Sequence, residues 1–226
     1  MTSSKHDPVV VIGLGRFGSS LALALANRGV TVLAIDNRPK VVQALAGRLE
    51  RVVIADSTDI EALRQLGVQN YSRAVVAIGT YMEASILTVS MLAELEIPEI
   101  WAKAINRRHG RILERIGAHH VILPEHDMGE RIARLVSSQM LDYIEVDEDF
   151  GMIKIKPPRE IVGIPLGQCR LRSRYGVTVV AVKPQAVLPG QERRFAHATP
   201  DTVLTYGDLI LVVGSLDKLE KFANLP

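Results

Sequence analysis

The feature that most constrains this chain is a glycine-rich turn between an apolar strand and a helix. The β-branched run Val9–Ile12 leads directly into a G-x-G-x-x-G spacing formed by Gly13, Gly15 and Gly18. In a βαβ unit the first glycine permits a tight turn, the second lets a pyrophosphate approach the backbone, and the third lets the helix pack close to the strand. Asp36 ends the next apolar run, where an acid accepts hydrogen bonds from an adenosine ribose. The pattern predicts a nucleotide-binding unit.

The first 144 residues continue with apolar runs of strand length that alternate with segments of helical length. The expected strands are Val32–Ile35, Val52–Ala55, Ala74–Ile78, Ile100–Ala104 and His120–Leu123, and the expected helices include Ser19–Asn27, Asp59–Leu66, Met82–Leu95 and Arg107–Ile116. This alternation is typical of a parallel sheet with right-handed crossovers. We therefore predict an α/β fold, a Rossmann-like doubly wound parallel sheet, over residues 1–144.

The pattern changes after Tyr143. The segment Glu145–Asp149 holds four acids in five residues, which indicates either a solvated linker or a strand at a sheet edge. The elements expected beyond it are strands at Met152–Ile155, Val177–Val182 and Leu209–Val213, a helix or turn at Leu166–Tyr175, a helix at Leu216–Phe222 and an exposed loop at Lys183–Pro200. We predict a second, smaller α+β domain over residues 145–226.

Composition narrows the classes of partner. Lysine and arginine number 27 against 25 aspartate and glutamate residues, so the formal net charge of +2 requires neither nucleic acid nor an anionic membrane surface. No apolar run reaches the roughly 18–20 residues that cross a bilayer, and the opening MTSSKHDP does not look like a signal peptide. Cys169 is the one cysteine, which excludes an internal disulfide. We expect a cytoplasmic protein.

Charged residues follow the first three predicted strands, at the edge where ligands bind in such sheets. Arg16 lies inside the glycine turn, from which its guanidinium can reach phosphate oxygens, and the added charge suits a di- or triphosphate. Arg38 is expected to touch a 2′-phosphate or, as we favour beside Asp36, to be solvated. Asp56 is expected to accept from an adenine amino group, to cap the helix near Asp59, or to do both.

Three further strand ends complete the predicted crevice. The fourth strand ends in Ala77-Ile78-Gly79, which is small enough to lie against a nucleoside. Lys103 and Glu125 follow the fifth and sixth strands, where they can meet phosphates and a bridging cation, although each alone is more often a solvated side chain.

Residues for bond-making chemistry are missing from the sequence. No tyrosine is followed four residues later by lysine, the six histidines show no metal-binding spacing, and no G-K-[ST] follows a glycine turn. Each histidine is expected at a boundary or in solvent, and Arg107–Arg111 is expected to begin a helix on a solvated face. We expect a protein that is not an enzyme and that does not bind nucleic acid.

Taken together, these residues resemble the RCK/KTN (TrkA-N/TrkA-C) family of cytosolic regulators of potassium channels and transporters, and within it the KtrA-type subunits. The resemblance covers nearly the whole chain. It rests on I-G-L-G-R-F-G at 12–18, A-I-D-N at 34–37, A-D-S-T at 55–58, V-A-I-G at 76–79, I-W-A-K-A at 100–104, I-G-A-H-H-V-I-L-P-E-H-D-M-G at 116–129, R-Y-G-V-T-V-V-A-V at 174–182 and G-D-L-I-L-V-V-G at 207–214.

The resemblance implies a nucleotide-binding RCK_N domain that takes ATP or ADP, followed by an RCK_C domain. It also implies that Arg16 can reach a neighbouring subunit's phosphate and that Glu125 can hold a monovalent or divalent cation at a dimer interface. The positions that match the family's nucleotide site are Gly13, Leu14, Gly15, Arg16, Phe17, Gly18, Asp36, Asn37, Arg38, Asp56, Ser57, Ala77, Ile78, Gly79, Lys103 and Glu125.

The resemblance further implies homodimers that assemble into an octameric ring on a membrane potassium-translocating subunit (KtrB/TrkH-like), at the inner face of the cell membrane. A cyclic di-AMP pocket in RCK_C is expected to include Ile161, Ile164 and Arg172. Two departures weaken parts of this match. The family usually carries aspartate where this chain has His119, and the loop Pro184–Pro200, beside the RCK_C cleft, is longer than usual.

The function predicted from these observations is a nucleotide switch, in which ATP and ADP bias a ring between two arrangements that gate potassium transport. An NAD(H)-responsive TrkA-type regulator is the nearest alternative, since it shares Asp36 and the glycines. An NAD-dependent oxidoreductase is a less favoured alternative, because the sequence offers no acid/base residue for hydride transfer. A redox-sensing transcription factor requires a winged-helix block that the sequence does not offer.

Overall fold

The computed structural model describes residues 7–185 and 193–226. Residues 1–6, with His6 and the segment examined for a signal peptide, and residues 186–192 of the expected exposed loop lie outside the described residues. The chain divides into two compact units, Met1–Glu125 and His126–Pro226. The domain boundary expected at 144/145 stays a prediction.

The first unit is built on a parallel sheet that confirms the predicted fold class. Its strands within the described residues are β1 (Val9–Ile12), β2 (Val32–Asp36), β3 (Arg51–Ile54), β4 (Arg73–Val76), β5 (Glu99–Lys103) and β6 (His120–Ile122). Their order is β3-β2-β1-β4-β5-β6, and every neighbouring pair is parallel. The direction of strand addition reverses between β1 and β4, which is where ligands bind in such sheets. Each predicted strand overlaps an observed one to within two residues.

Helices connect the strands of the first unit. They are α1 (Arg16–Asn27), α2 (Pro39–Leu45), α3 (Ile60–Gln65), α4 (Met82–Glu94) and α5 (Arg107–Arg115), and a further helix, α6 (Pro124–Ser137), begins at the end of this unit and continues into the second. Neither α2 nor α6 was predicted from the sequence. Proline stands at the first position of both, where its fixed φ suits a helix start. In α6 no residue is buried, although Met128, Ile132, Leu135 and Val136 stand at the spacing of one helix face.

The core of the first unit lies on both faces of the sheet, which explains the uninterrupted apolar strands. Alternate residues of β1 point to opposite faces. Val10 and Ile12 pack with Leu33 and Ile35 of β2, whereas Val9 and Val11 belong to a cluster with Ala22 of α1. Burial of each such side chain stabilises the fold by about 1.5–3 kcal/mol, and the glycine turn after β1 is therefore held on a rigid base.

The second unit contains an antiparallel sheet and short helices, in agreement with the predicted α+β class. Its described elements are β7 (Asp142–Asp147), β8 (Phe150–Ile155), α7 (Leu166–Cys169), α8 (Leu171–Arg174), β9 (Val177–Lys183), β10 (Ala196–His197), β11 (Leu209–Ser215) and α9 (Leu216–Ala223). The strand order is β10-β9-β11-β8-β7. Most of the acidic run lies in β7 at the sheet edge and in the turn to β8, so the strand-edge alternative is the one observed and the linker is not.

Among the described residues, no helix combines the length and the apolar character needed to span a membrane.

Candidate functional site

The carboxyl ends of β1 to β4 surround a crevice of about 110 Å³ in the first unit. Ten of the residues predicted to bind nucleotide line it: Gly13, Gly15, Asp36, Asn37, Arg38, Asp56, Ser57, Ala77, Ile78 and Gly79. The other predicted residues, Leu14, Arg16, Phe17, Gly18, Lys103 and Glu125, lie outside that lining. The sheet topology therefore brings together residues that are up to 66 positions apart in the sequence, from Gly13 to Gly79.

The glycine turn has the geometry that a phosphate loop needs. Gly13 adopts φ +90°, and a Cβ there would lie 2.9 Å from Ile78 Cγ1. A Cβ on Gly18 would lie 1.9 Å from the Gly13 carbonyl oxygen, so this position admits no side chain. By contrast, no atom lies within 4 Å of a Cβ built on Gly15. Two of the glycines thus serve the close packing of strand and helix, and Gly15 leaves open space for a ligand.

The N-terminus of α1 faces this open space without a competing cap. Gly15 is the N-cap residue, no side chain caps the helix, and no acid occurs in the first turn. The first amides of a helix have no intrahelical partner and carry the positive end of its dipole, which makes them an anion site. Arg16, exposed at the first helical position, makes no ion pair within the described part of the chain. The loop therefore fits a phosphate group.

Asp36 ends β2 with a buried carboxylate that accepts four hydrogen bonds. Oδ2 accepts from the amide of Leu14 at 2.6 Å and from Arg38 Nη2 at 2.8 Å. Oδ1 accepts from the Arg38 amide and from Arg38 Nε, both at 2.9 Å. Burial by itself opposes the charge, but the bonds from Arg38 and Leu14 outweigh it and hold the pKa of Asp36 below its ordinary value. The carboxylate is therefore ionised, and each of its two oxygens accepts two hydrogen bonds.

Arg38 is exposed, as we favoured from the sequence, and it is also paired. Its side chain is 54% exposed, and its guanidinium forms an ion pair with Asp36 that was not predicted. The hydrogen bond to Asp36 raises the pKa of Arg38. The backbone of Arg38 is extended (φ −97°, ψ 111°) at the N-cap of α2.

The residue that caps the helix after the third strand is not the one that the sequence suggested. Asp59, and not Asp56, caps α3 by accepting from the amides of Glu61 and Ala62. Asp56 instead accepts from the amide and hydroxyl of Thr58, and these bonds lower the pKa of Asp56. The helix-capping role proposed for Asp56 was therefore wrong, and one oxygen of this exposed carboxylate carries both bonds.

Ser57 shows how the crevice is joined to α4. Its buried hydroxyl lies 2.8 Å from the hydroxyl of Thr88, which is fully buried in α4. The side-chain hydroxyl of Ser85, one turn earlier in the same helix, is buried without a protein partner in the described residues. Tyr81 and Ala84 also line the crevice. Tyr81, Ala84, Ser85 and Thr88 were not predicted from the sequence, although the closeness of Tyr81 and Ala84 to the end of β4 was a usable signal.

Lys103 and Glu125 meet next to the crevice. Lys103 Nζ donates to Glu125 Oε1 at 2.5 Å and lies 5.8 Å from the centre of the Phe17 ring. A Cβ on Gly79 would lie 3.2 Å from the same Nζ, which places the ammonium at the crevice wall. The bond from Lys103 lowers the pKa of Glu125, and the charge of Arg16 contributes in the same direction. Two cations and one carboxylate thus flank the open end of the glycine turn.

The structure does not test the cation expected at Glu125. Within residues 7–185 and 193–226, no three His, Cys, Asp or Glu side chains cluster as metal ligands would. Glu125 is engaged by Lys103. A cation at Glu125 therefore stays a prediction.

Among the described histidines, His109 differs from the prediction that each lies at a boundary or in solvent, whereas His119 is exposed as predicted. His109 is buried in α5, its Nδ1 accepts from the amide of Ile105, and burial lowers its pKa. The neighbouring arginines of the basic run are exposed as expected. His119 lies in the place of the family's aspartate, and its Nδ1 accepts from the amide of Ile100 at 3.0 Å. Neither position involves the crevice.

The three residues expected to form a second ligand pocket differ in their exposure. Ile161 is fully buried in the core of the second unit and is inaccessible to a ligand in the single chain. Arg172 lines a cavity of about 540 Å³ with Arg170 and Thr178, whereas Ile164 is exposed outside that lining. A cyclic di-AMP pocket made of these three residues therefore stays a prediction, and Ile161 packs in the core of the single chain.

Comparison with known proteins identifies both parts of the chain. The family model of the TrkA-N domain matches residues 9–124, and that of the TrkA-C domain matches residues 151–226. Ktr system potassium uptake protein C of Bacillus subtilis (strain 168) is 38% identical over 213 residues, which are 94% of each chain. Ktr system potassium uptake protein A of the same organism is 34% identical over 221 residues, 97% of each chain.

Solved structures share the fold. The crystal structure of the GsuK RCK domain matches with a TM-score of 0.66 and 18% identity, covering all of this chain and 50% of that one. The GsuK channel bound to NAD matches with a TM-score of 0.52 and 21% identity, covering 98% of this chain and 39% of that one. The chain thus spans half or less of these two proteins, and at such identities the likeness concerns the fold alone.

Proposed function

We propose, on the premise that this chain belongs to the family in which a TrkA-N domain precedes a TrkA-C domain, that it is a nucleotide-sensing regulatory subunit of a potassium uptake system. Two relatives of nearly equal length are named for potassium uptake, which supports this role and not an enzymatic one. The predicted partner is a membrane potassium-translocating subunit, on whose cytoplasmic face homodimers of the chain assemble into an octameric ring. The domain boundary at 144/145 belongs to the same proposal.

The observation that carries the proposal is the uncapped start of α1, where Gly15 leaves space and two cations lie close by. Arg16 is exposed at this helix end, and Lys103 lies against Gly79. A triphosphate brings three to four negative charges to this end, and guanidinium and ammonium groups bind such oxygens with charge-assisted hydrogen bonds. The site residues predicted above therefore favour ATP and ADP, with adenine near Asp56 and Ile78.

The proposed switch uses the one phosphate by which the two nucleotides differ. A ligand biases a two-state assembly only by its differential affinity for the two states. If the exposed Arg16 of one subunit holds the γ-phosphate bound to its neighbour, that contact exists in only one arrangement of the ring. ATP then favours that arrangement and ADP does not, and the change is passed to the pore protein.

The test is calorimetric titration of purified, nucleotide-stripped protein with ATP, ADP, NADH and NAD, each with and without magnesium. We expect tight binding of ATP and ADP and weak binding of both dinucleotides. Preferential binding of NADH would move the protein to the second candidate, an NAD(H)-responsive regulator, which the ribose-binding carboxylate Asp36 equally supports. Binding of none would remove the nucleotide switch.

A separate titration addresses the second unit and the cation. Cyclic di-AMP binding that is lost in Arg172→Ala would support the proposed second ligand. A magnesium or sodium requirement that disappears in Glu125→Gln would support a cation at Glu125, and nucleotide binding that is independent of both ions would contradict it.

A further inference from the structure

The carboxylate that is expected to bind the ribose has no free acceptor position. An ionised carboxylate offers about four lone-pair sites on its two oxygens. All four are used in Asp36, two by the amides of Leu14 and Arg38 and two by the Arg38 guanidinium. A ribose diol that donates two hydrogen bonds must therefore replace two of the present donors.

The present donors differ in how easily they can leave. The Leu14 amide belongs to the glycine turn, whose neighbour Gly13 donates its own amide to Ile35 of β2. The Arg38 amide is fixed by the start of α2 at Pro39. The Arg38 side chain is instead 54% exposed and can rotate into solvent without opening the fold. The guanidinium is thus the donor that a ribose displaces.

We propose that Arg38 competes with the ligand's ribose for Asp36 and so sets how strongly the site depends on the ribose hydroxyls. This deepens, and rests on, the proposed nucleotide binding. In the free protein the guanidinium covers the carboxylate, and in the bound protein the 2′- and 3′-hydroxyls take its place. The hydrogen bonds gained by the ligand are offset by those that Arg38 loses, so most of the net affinity comes from the phosphate end.

The proposal predicts a pattern across ligands that differ only in the ribose. Wild-type protein discriminates weakly between ATP and 2′,3′-dideoxy-ATP, because the dideoxy ligand has no hydroxyl to donate and leaves Arg38 in place. Removal of the guanidinium in Arg38→Met exposes the acceptors, and ATP then binds more tightly by about tenfold, on the order expected for hydrogen bonds to a charged group. The affinity for the dideoxy ligand does not change.

The experiment is calorimetric titration of full-length wild type, Arg38→Met, Arg38→Lys and the control Arg28→Met with ATP, 2′,3′-dideoxy-ATP, NADH and NADPH. Arg28 is an exposed residue at the end of α1, outside the crevice lining, and its variant is expected to match wild type. Arg38→Lys keeps a cation but loses the two-pronged contact, and we expect an affinity between wild type and Arg38→Met. Thermal unfolding of each variant shows whether it is folded. If Arg38→Met does not fold, Arg38→Lys still tests the proposal.

Four results would overturn the proposal. Equal tightening of ATP and the dideoxy ligand would mean that Arg38 acts on the phosphates or on the charge of the crevice. Weaker ATP binding in Arg38→Met would make the guanidinium a ligand contact, and a loss confined to NADPH would assign it to a 2′-phosphate. If neither wild type nor Arg28→Met binds any of the four ligands, the proposed function itself fails, and this proposal fails with it.

Discussion

Two buried aspartates, one in each unit, have different uses. Asp36 and Asp208 are 5% and 3% exposed. Asp208 accepts from the amide of Gln185, the amide of Thr205 and the Thr205 hydroxyl, all at 2.8–2.9 Å. Every one of these donors belongs to the loops that Asp208 ties together. Asp36 accepts two of its four bonds from a half-exposed side chain that can leave.

The difference indicates that burial of a carboxylate does not by itself mark a site. A carboxylate whose donors are all part of the local fold can only stabilise that fold, whereas one held by a removable donor can exchange it for a ligand. The size of a cavity likewise does not by itself identify a ligand site. The cavity of about 540 Å³ in the second unit is far larger than the crevice of about 110 Å³, yet no charged group that lines it is buried.

The largest expected effect is a loss of stability on substitution of Asp208, the aspartate whose donors all belong to the local fold. Asp208→Asn replaces one acceptor oxygen by an NH₂ group, which leaves at least one buried donor facing another donor. We expect the free energy of unfolding to fall by about 2–3 kcal/mol, measured by urea denaturation of the full chain. Nucleotide affinity should be unchanged at temperatures where the protein is folded.

The matched control for that variant is Asp201→Asn, a change at an exposed aspartate of the same unit. It should alter stability by less than about 0.5 kcal/mol. Loss of nucleotide binding in folded Asp208→Asn would contradict the separation of the two roles.

Asp36 should behave in a way that depends on Arg38. In the Arg38→Met background, Asp36→Asn replaces one carboxylate oxygen, and with it one of the two acceptor positions that the guanidinium has vacated, by an NH₂ group, and we expect ATP affinity to fall by about tenfold. In the wild-type background the same change also releases Arg38, so the loss should be less than about threefold. A double-mutant cycle with ATP titrations measures this coupling. Additive effects of the two substitutions would show that ribose and guanidinium do not compete.

The phosphate end provides a smaller and independent effect. Arg16→Ala removes the guanidinium that we assign to the γ-phosphate, so the ratio of ATP to ADP affinity should fall several-fold toward unity. Arg48→Ala, at an exposed arginine outside the crevice lining, is the control. Titration of both nucleotides against each variant gives the ratio, and a ratio equal to that of wild type in Arg16→Ala would exclude the contact.

The smallest effect concerns pH. Hydrogen bonds from Arg38 and Leu14 outweigh burial and lower the pKa of Asp36 in the folded protein. Its contribution to stability is therefore complete above the unfolded pKa of about 3.9 and is lost as the pH falls through the lower folded pKa. Arg38→Met removes part of that contribution, by less than about 1 kcal/mol because solvent screens the half-exposed guanidinium. Urea denaturation from pH 6 to pH 3 should show the two proteins converging in acid, and divergence would contradict this account.

Much of the fold could be predicted because the information is local and periodic. Buried parallel strands give short apolar runs, and six of them were located to within two residues. The seven-residue α2 was missed because it is too short to show a clear helical period. The helix α6 was missed although Met128, Ile132, Leu135 and Val136 follow a helical spacing. The edge position of β7 was open from the sequence, since a run of acids suits a sheet edge and a linker equally.

Most residues of the candidate site could be predicted from the sequence, but the contacts between them could not. Glycine spacing and strand ends identified ten of the crevice residues. The contact between Lys103 and Glu125 depends on the neighbouring positions of β5 and β6, and the cap by Asp59 depends on where α3 begins. The burial of Ile161 and His109 depends on packing between distant segments, and a local sequence pattern does not predict such packing.

The sequence by itself determined the parallel sheet, the glycine turn and the placement of an acid at the end of β2, because each follows from backbone sterics and hydrophobic periodicity along neighbouring residues. Only the tertiary structure decided that Arg38 covers Asp36 and that Gly15 faces open space. The physical reason is that hydrogen bonds and packing depend on distances of a few ångströms between groups whose positions are set by the whole fold. The chemistry available at Asp36 follows from those distances.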